Sequence, residues 1–248
     1  CVTSAYNRGM RVTGSELIGL IPLKAMLDAG KYFLEKQQRS TGVSEAELIR
    51  IAIKTMGLDE LTPFDPQKRI IEYMLRDGSS TPLLNMNLRQ FADETASESP
   101  APGGGSISAY VGALGISLAT MVANLSSHKK GWDERWKEFG AWADKGQQLK
   151  DQLLNLVDED TKAFNKIMDA FGLPKSTDAE KAARKQAIQE ATRYAIEIPF
   201  KVMKLSLDSF EIIKAMAADG NPNSVSDAGV GALCARAAVY GAYLNVKI

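Results

Sequence analysis

The chain has 248 residues, with 30 Lys+Arg against 30 Asp+Glu, two cysteines and one histidine. Its length excludes a small disulfide-stapled module. Its zero formal charge leaves no basic excess for phosphate backbones or anionic headgroups, so neither nucleic acid nor a membrane is an expected partner. Cys1 and Cys234 cannot build a disulfide framework or a cysteine-rich metal site, which points to a reducing compartment, the cytoplasm. His128 alone supports neither a histidine-pair metal motif nor an imidazole relay, so no metal is expected and acid–base chemistry falls to carboxylates.

The chain opens on Cys1 with no apolar leader and reads as a fragment. Met10 to Leu20 forms a weak strand pattern interrupted by Gly14 and Gly19, after which Pro22 opens a helix toward Lys36. Ser44 with Glu47 three residues later makes a capping box ahead of Leu48, Ile51, Ala52 and Met56, and Gly57 stops that helix. Pro63, Asp65 and Pro66 mark a turn. A short helix follows through Ile70, Ile71 and Met74, and residues 76–82 read as a linker at a domain boundary.

From Leu84 onward the periodicity is helical, giving five helices near 86–96, 106–128, 133–171, 178–218 and 226–247. Such helices joined by short breaks predict a mainly all-α protein, an antiparallel bundle whose sites lie between facing helices. Ile107 to Leu125 carries no charge and is nearly long enough to span a bilayer. Ser108, Gly112, Gly115, Ser117, Thr120 and Asn124 dilute it, and basic or aromatic anchors do not flank both ends, so a buried central helix is expected. Pro199 is expected to bend the fourth of these helices near Ala195.

One carboxylate falls in an unexpected position. Leu149, Leu153, Leu156, Asp160, Ala163 or Phe164, Ile167 and Phe171 share one helical face, which sets Asp160 in the apolar seam, while Asp158, Glu159 and Lys162 read as a solvated face. A carboxylate facing the interior is costly unless paired, hydrogen-bonded or protonated, and is an acid–base candidate; the alternative is a structural cap at the seam's wet edge. Gly103, Gly104 and Gly105 before Ser106 offer close backbone approach and free amides to an anion, or merely a turn with Ser106 as N-cap. Asn221, Ser226 and Asp227 form a second such loop, with simple capping as the alternative. Beyond it Gly231, Cys234, Ala238 and Gly241 keep one helix face thin, and Asn245 falls on the same face. His128 reads as a helix C-terminal cation.

The runs SESPAPGGGS (97–106), VDEDTKAF (157–164), GNPNSVSDAG (220–229) and GAYLNVKI (241–248) together resemble the cyclodeaminase domain of the formimidoyltransferase-cyclodeaminase family. VTGSELIGLIPLKAMLDAG (12–30) and LDELTPFDPQKRIIEY (58–73) resemble the end of that family's transferase domain. The resemblance implies that residues 1–80 are the helical remnant of an α+β transferase domain with its linker, and that 81–248 are a cyclodeaminase bundle lacking a further C-terminal helix. It also implies conversion of 5-formiminotetrahydrofolate to 5,10-methenyltetrahydrofolate and ammonia, with Asp160 catalytic. The transferase's catalytic region has no match here. Tetrahydrofolate, polyglutamylated, is the implied substrate carrier, and Gly103, Gly104, Gly105, Ser106, Asn221, Ser226, Asp227 and Asn245 are the candidates to hold it. A homodimer or higher homo-oligomer is implied. The competing readings are a methenyltetrahydrofolate cyclohydrolase and a non-catalytic helical oligomerisation module.

Overall fold

The computed structural model describes residues 2–12, 14–75 and 82–247. Helix α1 spans Val2–Tyr6, and the segment that follows is coil where a strand was expected. Among the described residues no strand forms. The nearest approach is one parallel bridge, in which the Ile21 amide donates to the Arg69 carbonyl and the Ile71 amide to the Ile21 carbonyl. The coil is held instead by the Ser15 amide and hydroxyl, both donating to the Met56 carbonyl. With no second strand to pair with, alternation in sequence does not make a sheet.

Helix α2 (Leu23–Lys36) begins after Pro22, and α3 (Glu45–Met56) begins after Ser44, whose hydroxyl accepts from the Glu47 amide. Only half of the expected capping box forms, because the Glu47 carboxylate turns to Arg50. Gly57 closes α3 with φ 65, the left-handed conformation that favours glycine. The expected short helix is split at Ile70 into α4 (Pro66–Arg69) and α5 (Ile71–Leu75), since Ile70 turns extended and fully buried. Met26, Ile49, Ala52, Leu58 and Ile70 make a small core of their own. The domain boundary after residue 80 and the body of the linker fall outside the described residues.

The main bundle comprises α6 (Leu88–Thr95), α7 (Gly104–Ser127), α8 (Trp136–Gly172), α9 (Asp178–Asp219) and α10 (Val225–Val246). Helix α7 is central. Its Ser108, Gly112, Gly115 and Ala119 face is buried, with Gly112 against Ser206, Ala238 and Leu153, and Gly115 against Gly231 and Cys234. By length and composition α7 passes for a membrane span, yet most of its apolar window is buried inside the bundle, as a core helix requires. Helix α9 continues across Pro199 without a break. The small unit docks on this bundle. Asn124 and Gln147 both donate to the Gly42 carbonyl, and Lys31 and Thr41 reach Asp144.

Two expectations about helix ends are corrected. Ser106 is not the N-cap of α7. Gly103 takes that place, so the helix starts at Gly104 and Ser106 lies in its first turn. His128 follows the helix end, but burial and the nearby Arg39 charge push its pKa below the ordinary value, which disfavours the expected cation.

Candidate active site

The start of α7 points its free amides at α8, where Asp160 faces it. The Ser106 amide donates to Asp160 Oδ2 at 2.9 Å. The Ser106 hydroxyl lies 3.1 Å from the same oxygen and 2.8 Å from the Val157 carbonyl. It holds one proton and so donates to one acceptor at a time. When Asp160 is ionised the hydroxyl can turn to it. When Asp160 is protonated, the carboxyl can donate to Ser106 Oγ while Ser106 donates to Val157. Both charge states therefore find partners.

Desolvation dominates the energetics of Asp160 and raises its pKa above the ordinary carboxylate range, while the two Ser106 hydrogen bonds pull the other way. Gly105 is needed for this approach. A Cβ built there would sit 2.1 Å from Asp160 Oδ1, far inside contact distance. Asn245 completes the cluster from the C-terminal turn of α10. A Cβ on Gly104 would lie 3.2 Å from its Nδ2, which itself donates to the Gly241 carbonyl. Gly103 caps the helix, and only Pro100 O comes within reach of a Cβ there. Gly103, Gly104, Gly105, Ser106, Asp160 and Asn245 thus share one end of the bundle.

Asn221, Ser226 and Asp227 do not join them within the chain. The Asn221 amide donates to Ser126 Oγ at the far end of α7, twenty residues from Ser106, or about 30 Å along the helix axis. Asn221 Oδ1 accepts from the Asn223 amide, while Ser226 and Asp227 occupy the first turn of α10.

The sequence pattern also missed a carboxylate. Asp158 is 1% exposed, not solvated, and accepts from the Leu83 amide at 2.8 Å and the Leu84 amide at 3.2 Å. Glu159 turns to α9, where Tyr194 donates to it, lowering the Glu159 pKa and pushing that of Tyr194 up to about 12. Among the described residues no cluster of His, Cys, Asp and Glu is arranged to hold a metal ion.

A family model described as formiminotransferase-cyclodeaminase matches residues 87–248, and one described as formiminotransferase domain matches residues 1–76. The chain belongs to the formiminotransferase-cyclodeaminase family. It is similar to the formimidoyltransferase-cyclodeaminase of Mus musculus, 38% identical over 245 residues that make up 98% of this chain and 45% of that protein. The chain therefore spans less than half the length of that relative. It is also similar to the methenyltetrahydrofolate cyclohydrolase of Methylorubrum extorquens, 38% identical over 164 residues, 66% of this chain and 79% of that protein. Among solved structures, the formiminotetrahydrofolate cyclodeaminase of Thermotoga maritima superposes with a TM-score of 0.58 at 30% identity, covering 66% of this chain and 78% of that one.

Proposed function

We propose that the helical bundle is a formiminotetrahydrofolate cyclodeaminase with Asp160 as its acid–base group. The observation that carries this reading is a half-buried carboxylate of raised pKa, gripped by the first turn of α7 and provided for in both protonation states. In the reaction, N10 of the folate attacks the carbon of the protonated N5-formimino group and a C–N10 bond forms. Asp160 accepts the N10 proton and passes it to the amino nitrogen, whereupon the C–N bond breaks and ammonia leaves. The methenyl bridge left behind is cationic, and the carboxylate's charge stabilises it as it develops. The polar ends of Asn245 and the Gly103–Gly104 backbone are suited to the pterin edge. The substrate's tail is polyglutamylated in this reading, and cysteine usage favours a cytoplasmic setting.

We also propose a homodimer. The outer side of α7 carries Val111, Leu114, Leu118, Met121 and Leu125, and that of α10 carries Val230, Leu233, Ala237, Tyr240 and Leu244, both at alternating spacings of three and four. Leu233, Tyr240 and Leu244 are each more than 60% exposed. A copy packed antiparallel across this face would lay its own Asn221–Asp227 segment beside this chain's Asp160. That arrangement unites the two groups of candidate residues which one chain keeps apart.

The similarity to a cyclohydrolase sustains a second reading, hydrolysis of the methenyl bridge by the same carboxylate. One assay separates them. With 5-formiminotetrahydrofolate a cyclodeaminase generates methenyl absorbance and ammonia together. A cyclohydrolase instead bleaches added methenyltetrahydrofolate and releases no ammonia. Neither change in the parent protein would leave the bundle as an oligomerisation module.

A further inference from the structure

Helices α7 and α8 run antiparallel, with Ser106 beside Asp160, Gly112 beside Leu153 and Gly146 beside Thr120. Since α7 begins at Gly104, the part of α8 after Asp160 runs past it, and Gly172 lies about 18 Å beyond Asp160. Helix α9 accompanies it, so an αα-hairpin projects over the mouth of the cluster. Ala163 and Ala170 are the buried positions on this stretch of α8. Phe164, Met168 and Phe171 are 40%, 54% and 51% exposed.

Phe164 is four residues after Asp160 and shares its face. Long side chains on a helix lean back toward the N-terminal turn, which sets the Phe164 ring on the Asp160 side of its turn. Phe171 has Arg184 over its ring and accepts the Arg184 guanidinium at its carbonyl, whereas among the described residues no ring or cation stacks on Phe164. An unstacked aromatic one turn from an acid–base group is a wall for a flat ring attached close to the reacting atoms.

We infer that Phe164 packs against the aminobenzoyl ring of the folate, with Met168 extending the same wall. This rests on the cyclodeaminase reading. The reacting carbon bridges N5 of the pterin and N10 of the aminobenzoyl group, so a group that acts on N10 has the benzoyl ring directly beside it. The pterin is rich in donors and acceptors and suits Asn245 and the glycine backbone. The benzoyl ring offers only apolar faces and suits Phe164 and Met168. A helical turn separates neighbouring side chains on one face by about 5–6 Å, close enough for one bound molecule to touch both.

The test compares the parent with Phe164→Ala, Phe164→Leu and Phe164→Tyr, titrated with 5-formyltetrahydrofolate and with 6-methyltetrahydropterin, which has no aminobenzoyl ring. Circular dichroism checks the fold of each variant, and Phe164→Leu keeps the comparison alive if the smaller residue perturbs α8. The expected result is folate affinity about 5- to 150-fold weaker in the Ala variant, as for loss of one stacked ring. KM should rise with kcat little changed, the Tyr variant should behave as the parent, and affinity for the pterin should be unaltered in all. Equal folate affinity in the parent and folded Ala or Leu variants overturns the inference, as does an equal loss for both ligands. Failure of the parent itself to bind folate would instead bring down the cyclodeaminase reading on which it stands.

Discussion

Because burial raises the pKa of Asp160 above that of the same side chain in the unfolded chain, the folded protein resists ionising it. Its contribution to stability is fully present below the unfolded pKa and is lost as pH rises through the higher folded one. Asp160→Asn should therefore melt at or above the parent's temperature at neutral pH, with the difference shrinking toward acid, while ring closure falls about 10²- to 10⁴-fold. A variant that melts well below the parent at neutral pH would make the carboxylate structural. Ser106→Ala removes a hydrogen bond that favours the ionised form. The rising limb of its pH–rate profile should move to higher pH, and a shift the other way would refute the assigned geometry. Gly105→Ala sets a methyl where Asp160 Oδ1 lies. Activity should fall by at least tenfold, an estimate based on the large effect of small displacements in a positioned site. Gly103→Ala meets only an ordinary van der Waals contact with Pro100 O and should be nearly silent by the same assay.

At the scale of elements, Asp158 joins the bundle to the stretch that leads into it. Both its oxygens accept backbone amides, from buried Leu83 and part-buried Leu84, and Asp158 itself is 1% exposed. Asp158→Ala strands the buried Leu83 amide and the part-buried Leu84 amide and should cost about 1–3 kcal/mol in denaturant unfolding, the scale for one unsatisfied buried group. A cost under about 1 kcal/mol would mean that water reaches both amides. The burial of Asp158 shows why sequence periodicity reads one carboxylate and not its neighbour. Periodicity detects a single stripe, and Asp160 lay on it. Helix α8 is covered on a second side by residues 83–84, a tertiary contact with no local signal. The weak strand at residues 10–20 failed similarly, for alternation needs a pairing partner and that stretch has only the end of α3. Long helices, the Gly57 stop and the thin Gly231–Gly241 face were legible because local geometry and spacing alone decide them. The distance between Asn221 and Asp160 was not, since two loops that both precede helices look alike until helix direction is known.

At the scale of the whole molecule, α7 and α10 carry an apolar face that stays exposed among the described residues. Two helices about 33 Å long, spaced about 9 Å apart, present roughly 600 Å² in projection, close to the scale of about 800 Å² per partner in stable complexes. In a two-fold interface each substitution acts twice. Leu233→Asp should therefore weaken the dimer by about 10²- to 10⁴-fold, from about 1.5–3 kcal/mol lost per side, and sedimentation should show monomer at micromolar concentration. Antiparallel packing makes a sharper demand, because each site would draw Asp160 from one chain and the 221–227 segment from the other. Asp160→Asn and Asp227→Ala homodimers should then both be impaired. Mixing the two under subunit exchange should restore activity toward about a quarter of the parent's, because half the dimers are mixed and each has one intact site. No recovery in proven mixed dimers would place the 221–227 segment outside the site, while leaving Asp160 and the α7 terminus in it.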